Sequence, residues 1–403
     1  MSLRSNRNFR LLWIGQILSD IGSQIGSLAY PLLVLALTRS ALLAGVVGTT
    51  ASASAFAVRL PAGALADRLD RRRTMMAADA ARALALGLLA ALVLTHAVSW
   101  PVVLAVAIVD RTTDTLFTPA SIAALPLIVP DEQLEAAWAV SEGRQYAANI
   151  AGPPLGGLLY GIGRAVPFLA DAVSYAISVV TSRALRGDFS IPPAEEERRG
   201  LWSESFEGIK ALWRDRLLRA VLIQAPLINF AVGGVIFTVI IGLRKNGVSA
   251  LVIGAAEAVI MLGGVAGAFA APWIRERVTI RQAILLITVS ESLAALVAAG
   301  VMPSPAVALP LALPLVIAPA SNAALFGLVL RRTPPALHGR VNNGLLQVAT
   351  GLATLAPLAS GVVVNDASAR WAMVLFAVSL VPVLPMAFAF PAQDEPAEPT
   401  GPS

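Results

Sequence analysis

The heptapeptide PASIAAL, residues 119–125, recurs as PASNAAL at residues 319–325, with six identities in seven positions. A second pair of matching stretches, SALLAG from Ser40 and SALVIG from Ser249, is separated by 209 residues. Two matches at nearly the same large separation indicate an internal repeat. The chain of 403 residues is therefore expected to consist of two halves that share one topology.

The composition places this repeat in a membrane. Hydrophobic residues make up 57% of the chain, charged residues only 14%, and the mean hydropathy is +0.73. A membrane-crossing helix needs about 20 apolar residues, and the runs are too long and too weakly alternating for barrel strands. The sequence predicts an all-α polytopic membrane protein with twelve spans, at residues 11–37, 42–66, 75–95, 100–127, 140–162, 165–184, 217–242, 250–273, 279–300, 305–330, 341–364 and 371–391.

The spans divide into two groups of six, as the repeat requires. We expect an N-terminal six-helix bundle at 1–184, a cytoplasmic linker at 185–216 and a C-terminal six-helix bundle at 217–391. In the linker, Trp202, Phe206, Ile209 and Trp213 share one helical face, which predicts a helix at the membrane surface or a simple connecting helix. The polar tail 392–403 is expected to be disordered.

Cationic residues determine the expected orientation. Lys and Arg concentrate in the N-terminal segment and in alternate loops, with Arg144 counted in the loop before the fifth span. Because cationic loops stay cytoplasmic, both termini are expected inside, and the first span is expected to be retained. The basic isoelectric point then reflects topology, and no nucleic-acid partner is expected.

The residue inventory excludes several chemistries. Neither lysine lies in a phosphate-binding Gly-Lys-Ser/Thr motif, and the chain has two histidines and no cysteine. A Cys/His metal site is not expected. No cofactor and no enzymatic activity are predicted.

Three further motifs are characteristic of one protein family. PAGALADRLDRRR, residues 61–73, resembles the signature between the second and third spans of the major facilitator superfamily, although Asp70 stands where a glycine is usual. AGPPLGG, residues 151–157, resembles the family's antiporter motif in the fifth span. HGRV, residues 338–341, resembles the loop before the eleventh helix in macrolide-efflux and enterobactin-exporter proteins. The resemblance implies the major facilitator fold and the drug, macrolide and siderophore efflux branch.

The resemblance also implies two groups of functional residues. A carboxylate near a helix end can accept hydrogen bonds from a neighbouring helix or pair with arginine, and so hold the cytoplasmic side closed; the alternative is a cationic anchor only. The gate residues are Gly63, Asp67, Arg68 and Arg72, with Glu276 and Arg277 at repeat-related positions. The antiporter-type residues are Gly152, Pro153, Gly156 and Gly157, which simple helix packing explains equally well.

IVDRTTDT, residues 108–115, places three ionisable groups inside the fourth span. An ionised group at the bilayer centre costs about 2.5–3.5 kcal/mol, so these groups need partners or water. The resemblance implies that helices one, four, seven and ten line a central cavity and that three, six, nine and twelve are peripheral. Arg82, Asp171 and Glu291 are therefore assigned to structural pairing. The candidate cavity and proton-coupling residues are Asp20, Asp110, Arg111, Asp114, Asn229 and Glu257.

These observations favour a proton-coupled exporter of amphipathic small molecules in the inner (cytoplasmic) cell membrane, working as a monomer by alternating access. Arg111 is expected to hold at least one of Asp20, Asp110 and Asp114 ionised until proton uptake competes with substrate binding. A static cluster that only fixes helix packing is the alternative for these charges. The alternatives for the whole chain are an uptake symporter or facilitator, and a non-transporting receptor or scaffold.

Overall fold

The computed structural model describes residues 3–66, 69–189, 209–334 and 337–390. Within these ranges the chain is helical and contains no β-strand. The twelve long helical segments are α1 (Arg7–Thr38), α2 (Ala41–Ala66), α3 (Arg71–Leu94), α4 (Trp100–Ile128), α5 (Leu134–Ile162), α6 (Val166–Arg183), α7 (Arg216–Lys245), α8 (Ala250–Arg275), α9 (Ile280–Val301), α10 (Ala308–Arg331), α11 (His338–Asp366) and α12 (Ala369–Ala387).

Nine segments in the described ranges are long and apolar enough to cross a membrane by length and composition alone. The other three are α4, α5 and α6, with 29, 29 and 18 residues. These three are long enough for a span, but polar and charged residues, including the IVDRTTDT stretch in α4, interrupt their apolar runs. The polar half of the protein is therefore the N-terminal one.

Local sequence explains several helix ends. Asp70 is the N-cap of α3, and its carboxylate accepts a hydrogen bond of 2.8 Å from the amide of Arg73. Its φ of −54° lies outside the left-handed region, so a glycine is not required at this position. Thr279 and Gln282 form a reciprocal capping box at the start of α9.

The last two spans are less regular than the sequence predicts. A 3-10 turn at Leu352–Leu355 interrupts α11 just before Pro357, and a turn separates Ala369–Ser379 from Val383–Ala387 in α12, next to Pro382. Proline lacks an amide hydrogen and its ring clashes with the carbonyl four residues earlier. The predicted continuous spans 341–364 and 371–391 are each broken at these positions.

Each half packs as a bundle, and the halves meet through two helix pairs. In the N-terminal half α1 packs on α5 and α6, and α3 on α4 and α6; in the C-terminal half α10 packs on α8 and α9, and α12 on α7 and α9. Between the halves, α5 packs on α8 and α2 on α11. These pairs surround the space in which α1, α4, α7 and α8 face one another.

Some sequence predictions fall outside the described residues. These are the gate residues Asp67 and Arg68, the linker residues Trp202 and Phe206, and the tail 392–403. Of the predicted linker face, Ile209 and Trp213 lie in a short helical segment before α7, and Trp213 is exposed.

Candidate functional site

Arg82 on α3 is the centre of a buried charge cluster in the N-terminal half. Its Nε lies 2.9 Å from Oδ1 of Asp110 and its Nη1 lies 3.1 Å from Oδ1 of Asp114. Its Nη2 donates a hydrogen bond of 3.0 Å to the hydroxyl of Ser23, and its Cζ lies 3.9 Å from the centroid of the Tyr175 ring. All three nitrogen atoms of the guanidinium therefore have an oxygen partner.

The cluster contains more carboxylates than cations. Asp79, one turn before Arg82, lies 3.9 Å from its Nη1 and is completely buried. Asp110 is also buried and accepts a hydrogen bond of 3.2 Å from the hydroxyl of Tyr30. One guanidinium thus faces Asp79, Asp110 and Asp114, and this excess of carboxylates is the main electrostatic feature of the bundle.

A second ion pair lies beside this cluster. The guanidinium of Arg144 on α5 is buried and pairs with the carboxylate of Asp20 on α1. Asp20, Asp114, Arg82 and Arg144 all line a polar cavity of about 230 Å³ between α1, α3, α4 and α5. The side chain of Asp114 is 41% exposed, against 7% for Asp110, so Asp114 is the carboxylate of the Arg82 cluster that reaches this cavity.

Arg111 does not take the place expected from sequence. Among the described residues it forms no ion pair with Asp20, Asp110 or Asp114; Arg82 and Arg144 hold those carboxylates instead. The side chain of Arg111 lines a different cavity, of about 220 Å³, which lies between the two halves and also contains Glu257. Successive helical residues are about 100° apart, so α4 presents Asp110 and Arg111 to different spaces.

Asn229, the remaining cavity candidate, does not line the polar cavity, and neither do Asp171 and Glu291, which were assigned to structural pairing. Asn229 on α7 is exposed, and its side-chain amide donates to the carbonyl oxygen of Ala225 on its own helix. Asp171 on α6 is completely buried and accepts a hydrogen bond of 3.2 Å from the hydroxyl of Ser174. Glu291 lines a small, almost wholly apolar cavity within the C-terminal half. The structure brings neither Asn229 nor Glu291 to the Arg82 cluster.

The gate residues in the described ranges lie at the ends of α2, α3 and α8. A Cβ at Gly63 would meet no atom of the described residues within 4 Å. The Arg72 guanidinium donates to the carbonyl oxygen of Arg183, and Glu276 and Arg277 form an exposed ion pair of 3.3 Å with each other. The repeat-related carboxylate and arginine of the C-terminal half therefore pair locally.

The antiporter-type motif lies where α5 contacts two other helices. Gly152 and Gly156 face Gln24 and Ile25 of α1. Gly157 faces the backbone of Ala250 and Leu251 at the start of α8, while Pro153 faces Gly254. A Cβ at Gly157 would lie 2.8 Å from Cα of Leu251, closer than packed atoms tolerate. The motif therefore provides the contact between the halves near the C-terminal end of α5.

At the opposite end of the bundle, Asp215 caps α7. Its carboxylate accepts hydrogen bonds of 2.7 and 3.1 Å from the amides of Leu217 and Leu218, and it pairs with Arg332 at 3.1 Å. Partial burial alone would raise the pKa of this carboxyl, but the two amides and the guanidinium lower it below its ordinary value. This pair connects the start of α7 to the end of α10.

Sequence reasoning missed Arg82 and Arg144 as partners of the predicted aspartates. The expectation of a peripheral third helix sets Arg82 aside, and Arg144 counts as a loop cation because it lies at the very start of the predicted fifth span, 140–162. The signal was present: both are arginines inside helices that are otherwise largely apolar, where unpaired charge is costly. Asp79, which shares a helix face with Arg82, strengthens that signal.

Comparison with known proteins agrees with this architecture. Residues 12–354 match the model of the Major Facilitator Superfamily. Solved structures with the same fold include the nucleoside transporter NupG and an inward-facing bacterial homologue of the iron transporter ferroportin. Each has a TM-score of 0.73 and 15% identity, and covers 96% of this chain and 99% of the other.

Relatives in sequence are efflux proteins. The chain is 30% identical over 230 residues to macrolide efflux protein A of Streptococcus pyogenes, covering 55% of each chain. It is 26% identical over 219 residues to the multidrug efflux pump Tap of Mycobacterium tuberculosis (strain ATCC 25618 / H37Rv), covering 52% of each chain. In both cases the match spans about half the length of the relative.

The fold is that of a polytopic, all-helical membrane protein, as the sequence predicted. The chain belongs to the major facilitator superfamily.

Proposed function

We propose that the protein is a proton-coupled exporter of amphipathic small molecules that works by alternating access. The observation that carries this proposal is the Arg82 cluster, in which one guanidinium faces three carboxylates. Burying an uncompensated negative charge is costly, and binding a proton removes it. A cluster of this kind can therefore take up and release a proton with a change in its surroundings.

Asp114 and Asp20 are the proposed proton carriers. Both line the polar cavity beside the cluster, so solvent protons can reach them when that cavity opens. Each is held by an arginine from another helix, Asp114 by Arg82 of α3 and Asp20 by Arg144 of α5. Protonation weakens the hold of the arginine on the carboxylate, so proton binding can alter how α1, α3, α4 and α5 pack.

The proposed conformational change is a rocking of the bundle 1–184 against the bundle 217–391, joined by the linker 185–216. The close α5–α8 contact at Gly157 supports this division, because two glycine-containing helix surfaces can separate without breaking covalent or hydrogen-bonded structure. With both termini proposed to be cytoplasmic, this contact closes the outer side. The gate motif around Gly63 and Arg72 would then act at the inner side.

Export is proposed from the names of the sequence relatives and from the position of the antiporter-type motif. The relatives are called a macrolide efflux protein and a multidrug efflux pump. The substrates proposed on this basis are drugs, macrolides, siderophores or metabolites made by the cell. We propose that one chain, working as a monomer in the inner membrane, suffices for transport.

Transport into inverted membrane vesicles tests this function. Ethidium, dansyl-lysine and dansyl-lysine methyl ester form a fluorescent panel, and an imposed proton gradient, acid inside, should drive accumulation of at least one of them above that in vesicles without the protein. Collapse of the gradient should release the accumulated compound. Accumulation in the opposite sense would indicate an uptake symporter, and equilibration without dependence on the gradient a facilitator. No movement of any compound would favour a receptor or scaffold.

A further inference from the structure

The cavity between the two halves differs from the polar cavity in its charges. It has a volume of about 220 Å³ and is lined by α1, α2, α4, α7, α8 and α11. Two charged side chains line it in the described part of the chain: Arg111 from the N-terminal half and Glu257 from the C-terminal half. The other lining groups are mainly apolar, with Phe237, Ile236 and Ile240 forming one wall.

Neither side chain has an ion-pair or hydrogen-bond partner in the part of the chain that the structure describes. Among the described residues, Arg111 and Glu257 form no side-chain hydrogen bond and no ion pair, with each other or with any other group. Glu257 is nevertheless only 7% exposed. The contrast with Arg82 and Arg144, both engaged by carboxylates, shows that the fold elsewhere pairs its buried cations.

An arginine and a buried glutamate that lack ion-pair partners at one cavity define a ligand chemistry. In a low-dielectric space an isolated charge is unfavourable, and a bound group of opposite charge compensates it. A ligand with one charge would pair with one of the two residues, and the other residue would then face an apolar part of the ligand. A ligand with both charges compensates Arg111 and Glu257 together.

We propose that this cavity selects zwitterionic amphipathic substrates. The ammonium group of the substrate binds Glu257, its carboxylate or other anionic group binds Arg111, and its apolar part packs on the wall at Phe237. This inference rests on the proposed transport function and specifies its substrate class. Because Arg111 and Glu257 belong to different halves, such a substrate also connects the two bundles that move in alternating access.

A set of three related probes tests the inference. Dansyl-lysine is a zwitterion with an apolar fluorescent group, its methyl ester keeps only the ammonium, and its N-acetyl derivative keeps only the carboxylate. Binding to the purified full-length protein in nanodiscs is followed by dansyl fluorescence. We expect the zwitterion to bind at least about tenfold more tightly than either derivative, because each derivative lacks one hydrogen-bonded charged group.

Two variants separate the two charges. In Arg111→Gln the zwitterion should lose its advantage over the methyl ester, while binding of the ester stays unchanged and reports an intact cavity. In Glu257→Gln it should lose its advantage over the N-acetyl derivative. Arg164→Gln and Glu132→Gln, at exposed loop positions, should retain the full preference and serve as matched controls.

The outcomes distinguish this inference from the proposed function. Equal affinities for the three probes, no saturable binding of any of them, or an unchanged preference in both variants would overturn the inference. Gradient-driven transport of ethidium by the same purified protein in proteoliposomes would in that case leave the proposed exporter in place. A zwitterion preference without gradient-driven transport of any compound would instead contradict the exporter.

Discussion

Replacing Arg82 by glutamine should strongly destabilise the N-terminal half. The substitution removes the only cation that contacts Asp79 and Asp110 in the described structure, and these carboxylates are 0% and 5% exposed. Breaking a buried ion pair by removing one partner costs about 3–5 kcal/mol. The exposure of Asp114 should lower this cost little. Asp79 and Asp110 are buried and, unlike Asp114, do not line the polar cavity.

The assay is reversible unfolding in mixed micelles, with Arg164→Gln as the control for loss of an exposed arginine. Arg82→Lys should be intermediate, since an ammonium keeps the charge but cannot reproduce the three directed contacts of the guanidinium. Adding Asp110→Asn to Arg82→Gln should recover part of the lost stability by removing an uncompensated carboxylate. A loss below about 1 kcal/mol, or losses that simply add in the double variant, would refute the reasoning.

Three further predictions concern other parts of the molecule. Gly157→Val should disrupt the α5–α8 contact at a cost of about 1–3 kcal/mol. It should also increase labelling, from outside, of a cysteine introduced at Ser52 in the cavity between the halves, whereas Gly161→Val, where a Cβ would meet no described atom within 4 Å, should not. Equal labelling would contradict the role of this contact. Because the native chain has no cysteine, a cysteine at Arg164 should react with an impermeant reagent from outside and one at Arg72 should not, and the reverse pattern would invert the proposed orientation. The lowered pKa of Asp215 means that its stabilising contribution is present above about pH 4 and is lost as pH falls below that value. The melting temperature of Asp215→Asn should therefore depend less on pH below about pH 4 than that of the wild type, and parallel pH profiles would exclude this contribution.

The helices were predictable because the membrane leaves few alternatives. A chain in lipid must satisfy its backbone hydrogen bonds within each span, so long apolar runs identify helices directly. The predicted ninth span, 279–300, accordingly corresponds to Ile280–Val301. The breaks in α11 and α12 were less visible, because Pro357 and Pro382 lie within apolar runs whose mean hydropathy gives no sign of a turn.

The charge cluster was predictable in kind but not in its pairing. The cost of buried charge indicated that Asp110 and Asp114 need partners, yet which arginine supplies them depends on helix rotation and packing, which one sequence does not specify. Arg111 is adjacent to Asp110 in sequence, while Arg82 is 28 residues away and lies 2.9 Å from it. Neighbours along a helix point in different directions, so proximity in sequence misled the assignment.

The coupling role of Asp114 is tested most directly by separating transport driven by a proton gradient from exchange without one. Proteoliposomes contain the wild-type protein, Asp114→Asn, Asp20→Asn or the exposed control Asp131→Asn. The assay uses the compound of the fluorescent panel that the wild-type protein transports fastest. Asp114→Asn should lose gradient-driven accumulation and keep exchange at zero gradient, while Asp131→Asn should keep both. If Asp114→Asn and Asp20→Asn each retain gradient-driven accumulation at the wild-type level, the cluster around Arg82 is structural and the proposed coupling is wrong.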